Sequence, residues 1–83
     1  MSKTTTHPPL CEFVMTTLSH YFSHLEGEKP TNLYNMVIKE VEKGFLKVVM
    51  QEARGNQCLA AKMCGMSRNT LRKKLKEHQL DKI

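Results

Sequence analysis

The sequence predicts an all-α fold of four helices. Three observations carry this expectation. Apolar residues recur at i, i+3, i+4 and i+7 along most of the chain. No stretch alternates apolar and polar residues with the two-residue period of a strand. Gly, Pro, Asn and Ser fall between the apolar runs, where helices end and begin. The 83 residues allow one small domain, and such a chain buries only about 60–65% of the surface its unfolded form exposes. A disulfide, a metal or a partner chain is the usual support at this size. Cys11, Cys58 and Cys64 are odd in number and suit no disulfide framework, which points to a reducing compartment and leaves a second copy as the expected support. No apolar stretch approaches the ~20 residues of a membrane span, and residues 1–9 have no signal-peptide segment. The expectation is a soluble cytoplasmic protein without a membrane partner.

Residues 1–9 are polar, Thr-rich and end in Pro8-Pro9, so they read as a mobile arm. Leu10, Phe13, Val14, Leu18, Tyr21, Phe22 and Leu25 then mark one face of a first helix, which Gly27 is expected to stop. Thr31 or Asn32 can cap a second helix. Its main stripe is Leu33, Tyr34, Val37, Ile38, Val41, Phe45, Val48 and Val49, widened by Met36, Leu46 and Met50. A stripe this wide, running to Arg54, exceeds what the first helix alone can cover, so a second subunit is expected on it. Gly44 lies inside this helix at a cost of about 1 kcal/mol relative to Ala and marks a possible bend. Gly55 ends it, Asn56 caps a third helix over 57–63, and Cys64-Gly65-Met66 makes a turn. Ser67 caps a fourth helix over 68–78, with Met66 and Leu71 at the spacing of a hydrophobic staple.

Charge is distributed unevenly. Residues 1–53 carry five Lys and Arg against six Asp and Glu, whereas residues 54–83 carry eight against two. The whole excess of the +5 chain therefore lies in its last part, a distribution that points to a polyanion, with nucleic acid as the default. Two short helices joined through a Gly-containing turn fit a helix-turn-helix motif. Ala60 and Ala61 permit close approach, Gly65 supplies the turn conformation, and Met63, Met66, Leu71 and Leu75 are expected to lock the helices together. With Leu71 and Leu75 inward, the helical rotation turns Asn69, Thr70, Lys73 and Lys76 outward, sets Arg72 and Lys74 on the flanks and leaves Arg68 at the N-terminal end. That is the layout of a recognition helix, in which N-terminal side chains reach base edges and the flanks meet phosphate. Arg68 is the candidate for a bidentate contact to guanine.

Arg54-Gly55-Asn56-Gln57, Ala60-Ala61, Met63 and the run from Arg68 to Lys76 resemble the C-terminal half of the Fis family, the bacterial nucleoid-associated factors for inversion stimulation. Leu33-Tyr34, Val41-Glu42, Val49-Met50-Gln51 and Tyr21-Phe22 extend the likeness over about residues 9–80. The resemblance implies a homodimer whose first two helices intertwine in a four-helix core, here Phe13, Leu18, Phe22, Val37, Val41, Phe45 and Val48. It divides the chain into an arm over 1–9, dimerisation helices over 10–54 and a helix-turn-helix region over 55–83. It further implies duplex DNA as partner, DNA that bends and narrows its central minor groove, nucleoid-associated transcriptional regulation and contact with the transcription machinery. The family's base-contacting arginine falls on Arg68, and its other recognition-helix contacts fall on Thr70, Arg72, Lys73 and Lys74. A phosphate-contacting asparagine falls on Asn56, and Arg54 matches an arginine that touches flanking DNA. Ser67 stands where the family has a base-contacting asparagine, Cys58 replaces a phosphate-contacting threonine, Glu77 a lysine and Gly44 a proline. Residues 1–8 are shorter than the arm that touches DNA invertases, which favours transcriptional or architectural work over recombination.

Other readings are weaker. His20 and His24, four apart on one helix, can share a metal but lack a third ligand; Cys58 can act as a redox-sensitive group beside phosphate. These make a metal- or redox-responsive switch an alternative. An RNA-binding regulator is another, although residues 54–83 contain no Phe, Tyr or Trp on which bases would stack. No Ser, His or Cys has a base and an orienting partner in its sequence context, so neither an enzyme nor a cofactor is expected.

Overall fold

A computed structural model of the chain describes residues 9–81; the expected arm, apart from Pro9, lies outside the described residues. Among these residues there are four helices and no strand: α1 (Leu10–Ser23), α2 (Leu33–Glu52), α3 (Gln57–Cys64) and α4 (Arg68–Glu77). The fold is all-α, and the chain divides after Thr31 into two compact units.

The first unit is built on α1. None of its side chains is buried within the chain, and Phe13 is 68% exposed although it belongs to the apolar face. Tyr21 and Phe22 meet edge to face with ring centroids 6.0 Å apart. The helix ends at Ser23, four residues before the Gly27 expected to stop it. The amides of His24 and Leu25 bond three residues back, to Tyr21 and Phe22, tightening the last turn. Glu26 and Gly27 then both take left-handed backbone, at φ 54° and 89°, so the chain has left the helix before glycine is reached.

The second unit contains α2, α3 and α4. Asn32 stands at the start of α2 in left-handed backbone, and its side chain caps no amide. Its Oδ1 accepts instead from Asn35 Nδ2 at 2.8 Å, so the expected side-chain cap from Thr31 or Asn32 is replaced by a link between side chains. Gly44 lies inside uninterrupted helix. Farther along, α2 carries two adjacent seams. Tyr34, Ile38, Val41, Phe45 and Val48 follow the alternating four-and-three spacing of a helix-packing seam, yet all are exposed within the chain, Tyr34 at 75%. Leu46, Met50 and Ala53, about 100° around the helix, are buried. Of the three residues expected to widen the stripe, Leu46 and Met50 are covered by α3 and α4, whereas Met36 stays exposed at 39%.

The core consists of Leu46, Met50, Ala53, Ala60, Ala61, Leu71, Leu75 and Leu80, with Val49 and Met66 packed against it. Met66, at staple spacing from Leu71, packs against the core that contains it. Met63, expected to lock α3 against α4, is 52% exposed and does not. Burial of Leu46, Leu71 and Leu75 contributes about 1.5–3 kcal/mol each.

All three helices of this unit end in the same way. The amide after each left-handed residue reaches the carbonyl five residues back: Gly55 to Met50 at 3.0 Å, Met66 to Ala61 at 3.1 Å and Leu80 to Leu75 at 2.7 Å. The left-handed residues are Arg54 (φ 54°), Gly65 (φ 76°) and Gln79 (φ 59°). The last turn folds Leu80 back onto the core. Helix α2 accordingly stops at Glu52 rather than Arg54.

Glu42 ties α2 to α4 and its end. Glu42 Oε2 accepts from Lys74 Nζ at 2.8 Å, and its Oε1 lies 2.8 Å from His78 Nε2. The hydrogen bond from Lys74, followed by that from His78, holds the Glu42 carboxyl below its ordinary 4.5. The same bond, followed by the charge of Glu42, holds the Lys74 ammonium above 10.5. A pair this open to solvent stabilises by about 0–1 kcal/mol, so leucine packing, and not this tie, fixes α4.

Two outcomes follow for stability. Gly65→Ala is expected to lower it by about 1–2 kcal/mol in chemical denaturation, because the left-handed backbone resists a Cβ even though, beyond its chain neighbours, nothing lies within 4 Å of one. The stabilisation from a carboxyl with a lowered pKa is present above 4.5 and lost as pH falls through the folded value. That from an ammonium with a raised pKa is present below 10.5 and lost as pH rises through its folded value. The difference in thermal stability between wild type and Glu42→Gln is therefore expected to be largest between those limits and to shrink outside them.

Candidate nucleic-acid interface

The outer face of α4 follows from its inner face. Leu71 and Leu75 point into the core at zero exposure, which turns Arg68, Asn69, Arg72, Lys73 and Lys76 outward. Together with Gln57 and Asp81 these five residues line a concavity of about 730 Å³. Four cations and one carboxylate therefore surround it, a surface suited to an extended polyanion.

The helix starts position the remaining residues. Asn56 Oδ1 accepts from the Leu59 amide at 3.1 Å, capping α3 as expected. Ser67 Oγ accepts from the Thr70 amide at 3.1 Å and donates to Thr70 Oγ1 at 2.9 Å. The Ser67 hydroxyl hydrogen is thus spent inside the chain, while Thr70 keeps its own hydroxyl hydrogen to donate. The first two amides of α3 and of α4 have no intrahelical acceptor and can meet phosphate oxygens. Arg54 is exposed in the turn between α2 and α3.

Lys74, expected on the flank of α4, is half-buried, and its ammonium is held by Glu42, outside the residues lining the concavity. The rotation of α4 brings it beside Leu75, on the edge that faces α2. Gln57 and Asp81 are the residues that sequence reasoning missed. Gln57 adjoins the Asn56 cap, so its place at the first position of α3 was a usable signal. Asp81 had none, because the left-handed turn at Gln79 redirects the chain.

Cys58 is exposed at the second position of α3, and Cys64 is half-buried. His24 Nδ1 lies 2.7 Å from the His20 carbonyl oxygen, so that ring nitrogen closes the end of α1 rather than sharing a ligand with the His20 ring. Among the described residues, Glu42, Glu77 and His78 bring metal-ligand-type atoms within 4.8 Å of one another. The Lys74 ammonium already supplies the positive charge there. No helix of the described residues is long and apolar enough to cross a membrane.

A family model described as "Bacterial regulatory protein, Fis family" matches residues 37–78, from the middle of α2 to the end of α4. The chain is 47% identical over 73 residues to the DNA-binding protein Fis of Buchnera aphidicola subsp. Acyrthosiphon pisum, spanning 88% of this chain and 74% of the relative. It is 52% identical over 73 residues to that of Actinobacillus succinogenes, with the same coverage of 88% and 74%. The corresponding figures for Proteus mirabilis are 46% over 76 residues, 92% and 78%. These likenesses take in α1 as well as the helix-turn-helix, and with the matching family model they show that the chain belongs to the Fis family of bacterial regulatory proteins.

Proposed function

We propose that this chain is a homodimeric protein that binds and bends double-stranded DNA as a nucleoid-associated transcriptional regulator. The observation that carries the reading is the row Arg68, Asn69, Arg72, Lys73 and Lys76 around one concavity on the second helix of a helix-turn-helix. The relatives' name, DNA-binding protein, supports it. In this reading Arg68 reaches a guanine edge, with Asn69 and Thr70 beside it near the bases. Arg72, Lys73 and Lys76 meet phosphates along the helix, Lys74 reaches one once it leaves Glu42, Arg54 and Asn56 hold the DNA from the turn and cap before α3, and Ser67 fixes the start of the reading helix. The region over 55–83 is the reading part, and 10–54 is the dimerising part.

Dimerisation is supported by the open seam on α2. Five large apolar side chains at helix-packing spacing stay exposed in the single chain, and Phe13 and Phe22 do the same on α1. A second copy supplies an equivalent face, so Leu18, Val37, Val41, Phe45 and Val48 join them in a shared core. Bending follows from the family resemblance: two reading helices held close by such a core fit only a curved duplex, and an A/T-rich centre deforms at lower cost. The DNA partner places the protein at the nucleoid in the cytoplasm, where contact with the transcription machinery is part of the proposal.

The reading is tested by competition between duplex DNA and single-stranded RNA at equal salt, in which duplex is expected to win; a win for RNA would overturn it. Arg68→Ala is expected to weaken binding by about 1–3 kcal/mol and to relax guanine preference, whereas Lys73→Ala should weaken all duplexes alike. Equal loss on every sequence for Arg68→Ala would remove its base-reading role. In sedimentation, wild type is expected to run as a dimer and Phe45→Asp to shift toward monomer.

A further inference from the structure

Lys74 is a cation of α4 neutralised within the chain. Its ammonium lies 2.8 Å from Glu42 Oε2, while Arg68, Arg72, Lys73 and Lys76 keep their charges around the concavity. Leucine packing fixes α4, so the pair can open without unpacking the helix. A lysine stem with 34% of its side chain accessible can swing from α2 toward a phosphate. What opposes the swing is the carboxylate left behind.

Glu42 has a second partner whose charge can change. His78 Nε2 lies 2.8 Å from Oε1, and the His78 side chain is only 9% exposed. A carboxylate can only accept, so Nε2 carries the hydrogen. A neutral imidazole leaves Glu42 uncompensated once Lys74 departs, whereas an imidazolium compensates it. The other charged groups around His78 are Lys39, Glu40 and Lys43 of α2 and Glu77 of α4, which share a shallow concavity with it. These are two cations and two anions, and of them Glu77 brings a carboxylate oxygen within 4.8 Å of Glu42 and His78, so an imidazolium there faces both carboxylates.

We propose that Glu42 is a positioning residue that withholds Lys74 from DNA phosphate, and that a solvent proton taken up by His78 releases it, so that duplex binding tightens toward acid. The inference rests on the reading of α4 as the DNA-contacting helix. Imidazole changes charge between about pH 5 and 8, which sets the range to scan.

The test measures binding of the full chain to a labelled duplex by fluorescence anisotropy, across that pH range and a salt series. Glu42→Gln is expected to bind about three- to tenfold tighter at the alkaline end, with a log–log salt slope steeper by about 0.9 for each lysine released. In a Lys74→Ala background the same change at Glu42 should leave affinity unaltered. Wild type should bind more tightly as pH falls, and His78→Gln should lose that part of the pH dependence; His20 and His24 are present in both proteins. Weaker binding by Glu42→Gln, a gain that persists without Lys74, or an unchanged pH profile in His78→Gln would each overturn the proposal. Should Glu42→Gln fail to fold, Glu42→Asp, which shortens the side chain by one carbon, is expected to act in the same direction. A wild type that binds no duplex would defeat the DNA reading itself, whereas duplex binding without coupling would remove only this inference.

Discussion

The contact on which the second unit depends is the close approach of α3 and α4 through Ala60 and Ala61. Two small side chains at this crossing let Leu71 and Leu75 reach zero exposure beneath α2, beside Leu46 and Met50. A helix has one rotation, so fixing two leucines inward fixes every other side chain of α4. Arg68, Arg72, Lys73 and Lys76 are presented on the outer face because the leucines cannot be elsewhere. Apolar packing supplies the energy and charge supplies the use, a division that keeps the basic face open to solvent.

Helix α2 serves two faces at once. Its Leu46, Met50 and Ala53 seam is consumed by α3 and α4, and its Tyr34, Ile38, Val41, Phe45 and Val48 seam is left open. The seams are offset by about one residue, near 100° on the helix, so one rigid rod can join a shared core to a reading head. In the proposed dimer this means the two reading heads are spaced by a helix and not by a flexible linker. Glu42 lies on the same rod and grips the last turns of α4 through Lys74 and His78. The tie is worth little as stability, which leaves it available as a control on charge.

The turns do more than connect. Left-handed residues at Arg54, Gly65 and Gln79 end three helices with the same hydrogen-bond pattern. The first turn carries Arg54 and leads directly to the Asn56 cap; the second leads to the Ser67 cap; the third returns Leu80 to the core. Two of those left-handed residues are not glycine, at a local strain of about 1–2 kcal/mol each. Asn56 and Ser67 hold helix starts and stand at the proposed interface, so changes there would alter local order and binding together.

Much of this was legible in the sequence. Helical periodicity fixed the number and approximate extent of the helices, and the caps at Asn56 and Ser67 and the turn at Gly65 could be read from residue type, because each answers a local backbone requirement. The charge split and the leucine spacing together identified the outward face of α4. What the sequence could not rank was the two apolar seams of α2: their residues are alike in hydrophobicity, and only the positions of α3 and α4 decide which seam is covered. Nor could it show that Met63 stays exposed, that Leu80 is core, or that Lys74 is spoken for by Glu42, thirty-two residues away. Local structure answers to neighbours in sequence and was determined there; partnership across helices answers to neighbours in space, and only the tertiary structure decided it.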